Sequence, residues 1–152
     1  MGELEDLRRR VLSLELPSAT RPQLVVGNPA SSRDATTGRI PYGTVVKDTA
    51  GTWDTASKRW TAPQSGLYLL HVQTKCTTAA VSVVRLVTSG GVKLWSSVGL
   101  SASWAGQSLS GVADIVAGQY VWAEEDTAFT PQNDTAALSN YLMITYLGRT
   151  TP

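Results

Sequence analysis

His71 is the only histidine of the chain and Cys76 its only cysteine, so an imidazole-assisted nucleophile would have to use one or both. Such a site needs the imidazole beside the nucleophile and a carboxylate behind it. From Leu67 to Cys76 the sequence alternates in period two. Tyr68, Leu70, Val72, Thr74 and Cys76 share one face; Leu67, Leu69, His71, Gln73 and Lys75 share the other. On one strand His71 and Cys76 therefore point to opposite sides and cannot meet. The apolar company of Cys76 marks it as a buried structural thiol, and a lone cysteine leaves no intrachain disulfide. His71 reads as a structural or interface residue.

The acids offer a second chemistry. Glu124, Glu125 and Asp126, with Asp134 further on, could hold calcium through loop carboxylates, but the ligand spacing of a calcium loop is missing. They read as solvated loop acids. No strand or helix end concentrates paired carboxylates for glycoside hydrolysis, and no P-loop, dinucleotide fingerprint or zinc pattern occurs. The expectation is a protein that is not an enzyme, with no catalytic, cofactor-binding or metal-binding residue assigned. Five tryptophans remain. Trp60 and Trp122 read as core. Trp53 and Trp104 lie in polar, loop-like surroundings, where an indole serves as a protein contact or a sugar-stacking platform. These two are the candidate ligand contacts; the alternative is that each covers its own loop.

Composition bounds what such residues can serve. The 152 residues suit one domain with a real core. Charged residues make up only 16% and the net charge is +1. Beyond Arg8-Arg9-Arg10 there is no basic cluster, which argues against a nucleic-acid partner. No run approaches a membrane span. Glu3, Glu5 and Asp6 interrupt the N-terminus where a signal peptide needs an apolar stretch, so synthesis in a cytoplasm is expected.

Residues 1–16 differ from the rest. Leu4, Leu7, Val11 and Leu14 follow the 3-4-3 spacing of a heptad seam. Acids at the start and arginines after them match a helix dipole, and Pro17 ends the helix. Two heptads give a helix of about 20 Å, marginal alone. It reads as a short parallel coiled coil or particle anchor, or else as a single amphipathic helix packed on its own domain. Residues 17–22 form a linker, and residues 23–152 the head.

The head reads as short strands separated by turn residues. Strands are expected at Gln23–Val26, Ile40–Lys47, Leu67–Cys76, Ala80–Thr88, Val92–Val98, Gln107–Val116, Tyr120–Glu124 and Ala137–Leu147. Trp53 and Trp60 flank a polar hairpin tip, and Ser89-Gly90-Gly91 is a strong hairpin turn. Along Ile40–Lys47, Ile40, Tyr42, Thr44 and Val46 share a face. The Leu67 strand is expected at the centre of its sheet. The last strand is apolar on both faces, with Tyr141 and Met143 opposing Leu142, Ile144 and Tyr146, so both should be covered. The fold class is all-β, a sandwich or jelly roll of about ten strands with a short N-terminal coiled-coil helix.

Several of these stretches resemble one family. Val46-Lys47-Asp48 with Trp53-Asp54, then Trp60-Thr61-Ala62-Pro63, then Gly66-Leu67-Tyr68 are similar to the globular head of complement component one, subcomponent q, and to the related tumour-necrosis-factor-like jelly rolls. Ala117-Gly118-Gln119-Tyr120-Val121 resembles the turn before that family's penultimate strand, with Gln119 where an Asp is usual. Ser139 to Tyr146 resembles its final strand, with Met143 where a small residue is preferred. The resemblance covers about residues 38–147. It implies a ten-stranded jelly roll that forms a homotrimer about a three-fold axis lined by core-strand and last-strand residues. Leu4, Leu7, Val11, Leu14, Leu67, Leu69, His71, Tyr141, Met143 and Tyr146 are the interface candidates.

These readings combine into two expectations. One is a non-enzymatic homotrimeric structural protein of a virus particle. It would be a knob decorating the capsid or attached to the tail of a tailed bacteriophage, bound to other virion proteins through the N-terminal helix and sitting on the virion surface after assembly in the host cytoplasm. The alternative is a receptor-binding adhesin head that recognises a host-surface glycan or protein. Neither involves nucleic acid or membrane insertion.

Overall fold

A computed structural model describes residues 21–31, 33–77, 80–100, 106–126, 130–132 and 138–149. The helix and coiled coil expected in residues 1–16, with Leu4, Leu7, Val11 and Leu14, lie outside the described residues, as do Trp104 and Asp134.

Alternating side chains and turn residues produce ten strands: β1 (Gln23–Pro29), β2 (Tyr42–Asp48), β3 (Trp53–Asp54), β4 (Arg59–Thr61), β5 (Gly66–Lys75), β6 (Ala80–Thr88), β7 (Gly91–Leu100), β8 (Gly106–Ile115), β9 (Tyr120–Glu125) and β10 (Tyr141–Gly148). They form two five-stranded sheets. Sheet I runs β2-β1-β10-β5-β8 and sheet II runs β3-β4-β9-β6-β7. Their inner faces pack as a sandwich, so the expected all-β jelly roll of about ten strands is the fold found. β5 is an inner strand of sheet I, but the middle position belongs to β10, which pairs with β1 on one side and β5 on the other.

The core follows the alternation. Tyr68, Leu70, Val72 and Thr74 of β5 are buried in strict alternation with half-buried neighbours. They meet Leu24 and Val26 of β1, Leu142 and Ile144 of β10, and Trp60, Leu86 and Val121 from sheet II. Cys76 is buried, as its side of the strand requires.

The motif around Trp60 has a packing reason. Trp60 meets Tyr68 edge-on at 5.6 Å, and Tyr68 meets Tyr146 edge-on at 5.1 Å, geometries that suit the aromatic quadrupole. The turn at Pro63 docks on the turn at Gly118: Ala62 donates to Gln119 O at 2.9 Å, and Gly118 donates back to Ala62 O at 2.8 Å. The Gln119 side chain closes its own turn by accepting from Val116 N at 3.1 Å. Gly66 must be glycine here. Its φ is 153°, and a Cβ would collide with the Gly148 carbonyl and the Tyr146 ring.

Three expectations are corrected. The face shared by Ile40, Tyr42, Thr44 and Val46 breaks after Tyr42: Gly43 to Lys47 are all exposed, Val45 at 49% and Val46 at 57%. β2 is an edge strand paired only to β1, and a register shift at Val25/Val26 turns it off the core. Trp122 is not a core residue; it alternates outward between buried Val121 and Ala123 and is half-buried. Glu125 is not a solvated loop acid. It ends β9 on the inward side and is 1% exposed.

Candidate self-association face

Sheet I turns its second face away from the core, and pairing registers lay that face out in rows. One row runs Gly27, Tyr141, Gln73, Ser108. The next runs Lys47, Val25, Met143, His71, Ser110. The third runs Gln23, Thr145, Leu69, Val112, and Leu67 pairs with Asp114 beyond it. The charges on this face, Lys47, Lys75 and Asp114, stand on its borders; between them no charged side chain occurs among the described residues. Val25, Leu67, Leu69, His71, Gln73, Tyr141, Met143 and Thr145 are half-buried already in the single chain, while Val112 is exposed.

Five of the expected interface residues, Leu67, Leu69, His71, Tyr141 and Met143, are thereby brought to this one surface. Tyr146 is not. Its ring lies against Tyr68 on the core side of β10, because positions 142, 144 and 146 share the inward parity. The last strand is thus buried on one face and only half-covered on the other.

His71 sits in the middle row. Its Nδ1 hydrogen-bonds with Ser110 Oγ, and its Nε2 with Tyr141 OH at 3.0 Å. The imidazole tilts against the Tyr141 ring with centroids 5.2 Å apart. A neutral imidazole donates from one nitrogen and accepts at the other, and hydroxyls serve either need. Burial lowers its pKa below the usual value of 6.5, since a charge is harder to keep away from water.

The outer face of sheet II is built differently. The Arg59 guanidinium lies over Tyr120 at 4.1 Å and that of Arg39 over Trp122 at 4.7 Å, both within cation–π range. Trp122 Nε1 donates to Glu124 at 2.6 Å. Arg85 clasps Asp126 through both terminal nitrogens, and this hydrogen bonding raises the Arg85 pKa. Arg39 also donates to Ser57 O at 3.0 Å, and Lys58 donates to Asp34 at 2.6 Å. These contacts tie the loop of residues 33–39 to the hairpin tip at 55–58. Asp34 in turn accepts from the backbone of Thr36 and Thr37. Its pKa is lowered, first by Lys58 and then by these loop donors. Trp53 belongs to this sheet but packs half-buried against the core, edge-on to Tyr42, with its indole N–H buried. It walls its own hairpin instead of standing free as a platform.

Sequence reasoning missed Glu125. Neither carboxyl oxygen has a hydrogen-bond partner, and the nearby Tyr42 hydroxyl has none either. Burial pushes the Glu125 pKa up to about 9; Asp126 adds to this, while Arg33 and Arg85 oppose it. The acid is therefore protonated at neutral pH. The alternation Val121, Ala123, Glu125 was the available signal. Among the described residues no group of three or more His, Cys, Asp or Glu is placed to hold a metal ion, and no catalytic constellation occurs.

Comparison with solved structures places the fold. The chain is similar to the globular domain of zebrafish complement 1qA, with 14% identity and a TM-score of 0.62 over 86% of this chain and 99% of that one. It is similar to murine APRIL, in a crystal structure at pH 5.0, with 12% identity and a TM-score of 0.67 over 84% and 100%. It is similar to Eiger TNF from S. frugiperda, with 10% identity and a TM-score of 0.70 over 87% and 96%. The class is thus a C1q/TNF-like jelly roll at the level of fold. No family model matches the sequence, and no curated protein matches it.

Proposed function

We infer that the chain is a non-enzymatic, self-associating binding head. Three copies meet through the outer face of sheet I, and the assembly presents its remaining surface to a protein or glycan on a host cell. The observation that carries this is the charge-free, half-buried face at β1, β10 and β5. A broad face on which Val25, Leu67, Leu69 and Met143 stand among uncharged polar groups fits a contact site. The resemblance to C1q and TNF heads supplies three copies as the number.

The presented surface is the opposite one. There the loop of residues 33–39 and the hairpin tip at 55–58 are held by Arg39–Ser57 and Lys58–Asp34, so partner contacts would meet loops already ordered. The similarity to complement, APRIL and TNF structures weighs toward this receptor-binding head. The narrower reading, a decoration knob on a tailed-bacteriophage particle, draws its support from residues 1–16.

Binding of the full chain to a glycan array and to intact cells tests the proposal. Saturable binding that is lost when loop 33–39 is replaced by a Gly/Ser linker is expected. Absence of binding to every glycan and cell surface, with the chain retained on purified virus particles, returns it to a decoration role.

A further inference from the structure

His71 is the chain's only histidine, and His is the side chain whose ordinary pKa puts its charge change between neutral and mildly acidic pH. It stands in the middle row of the charge-free face, and no element around it supplies a counter-charge. From β8 it meets Ser110, and from β10 it meets Tyr141 and the directly paired Met143. Leu69 and Gln73 flank it on its own side of β5. Lys75 lies four residues along β5, and Asp114 lies four residues along β8 from Ser110. Both are about 13 Å away at the rise of a strand. Lys47 is three strands across, about 14 Å off at the usual strand spacing. Two of these three are cations, and the one carboxylate is out of pairing range.

The two hydroxyls on the ring can accept from an imidazolium as well as serve the neutral ring. Hydrogen bonding therefore does not oppose protonation; removal from water does. In a single chain the ring is half-buried and water still reaches it. Once further copies cover the face, each brings its own His71, and every imidazolium is dried out on a surface without counter-charge.

We propose that protonation of His71 separates the associated copies, so that an assembly formed at neutral pH releases folded single chains in mild acid. This rests on the self-association reading above. The assembled state favours the neutral ring, so association is at full strength above the imidazole pKa of the free chain and is lost as pH falls through it. The fold itself responds in the other direction. Glu125 is held protonated by its burial, and the pH drop that charges His71 only favours that form. The released chain should therefore stay folded.

Sedimentation equilibrium of the full chain at pH 7.5 and pH 5.0, with circular dichroism on the same samples, tests this. The expected result is an apparent dissociation constant at least tenfold higher at pH 5.0, a factor matching one unit of pKa difference, with an unchanged spectrum. In His71→Gln, whatever its affinity at pH 7.5, the constant should change less than twofold between the two conditions. Two outcomes overturn the proposal while leaving self-association intact: a wild type equally associated at both pH values, or a His71→Gln variant that dissociates in acid as the wild type does. A wild type that is monomeric at pH 7.5 overturns self-association and this proposal together.

Discussion

The two outer faces of the sandwich are made by the same kind of strand and end up as different surfaces. On sheet II the outward positions carry Arg59, Tyr120, Trp122, Glu124 and Arg85, and these groups engage one another and their neighbours: guanidinium over ring, indole N–H to carboxylate, arginine to Asp126. On sheet I the outward positions carry Val25, Met143, Leu69, Leu67 and Tyr141 among the uncharged polar groups Gln23, Gln73, His71, Ser110 and Thr145, with charge only at the borders. A face whose charges engage its own rings and carboxylates suits water. A half-buried face without charges is completed by something else, and further copies of the same chain are the natural complement in a symmetric oligomer. The difference lies in what each alternation leaves outside, since both inner faces build one core.

The largest test of this contrast is Met143→Asp. A charge at the middle of the sheet I face, dried by a neighbour, has no partner. Association should weaken more than a thousandfold, about 4 kcal/mol, with the fold retained; an unchanged mass by light scattering would place the contact elsewhere.

Glu125 sharpens the contrast from the inside, since it is a charge-capable group admitted to the core beneath the self-paired face. Its folded pKa is raised from 4.5 to about 9. The stability it allows is full below pH 4.5 and is lost as pH rises through that window, at about 1.4 kcal/mol per unit. Glu125→Gln should therefore gain up to about 3 kcal/mol at pH 7 and flatten the pH dependence. Urea midpoints at pH 5 and pH 8, measured in the monomeric Met143→Asp background with Glu125 and with Glu125→Gln, check this; a pH slope as steep in the Gln variant as in its Glu125 parent counts against it.

On sheet II the matching change should do little. Tyr120→Ser removes the ring under Arg59, with a cost of about 0.5–1 kcal/mol and no change in oligomer mass. The smallest effect is expected for Asp34→Ala, which frees the loop of residues 33–39. Amide exchange at Thr36 and Thr37 should speed up while the thermal midpoint stays put; an unfolded head would show that this loop is part of the core.

Much of the fold was legible because it depends on period two. The alternation in β5 gives the buried set Tyr68, Leu70, Val72 and Thr74 directly, and Trp60, Pro63 and Gly66 mark a turn whose aromatic packing requires those types. What failed did so for identifiable reasons. Tyr146 was counted among the interface candidates, although the parity it shares with Leu142 and Ile144 sends it inward onto Tyr68. Trp122 was read as core, but strand parity puts it outside, where Arg39 covers it. The exposure of β2 after Tyr42 depends on a register shift against β1, which no local pattern encodes. Of the candidate face, Leu67, Leu69, His71, Tyr141 and Met143 were legible as outward positions of two strands. That β5 and β10 lie side by side, pairing His71 with Met143, is a property of the topology and cannot be read from either strand alone.

The measurement that bears most directly on the account is the solution mass of the full chain at micromolar concentration and neutral pH, beside that of Met143→Asp. Three chains are expected for the wild type and one, of 16.2 kDa, for the variant. A wild type that sediments as a single folded chain would contradict it.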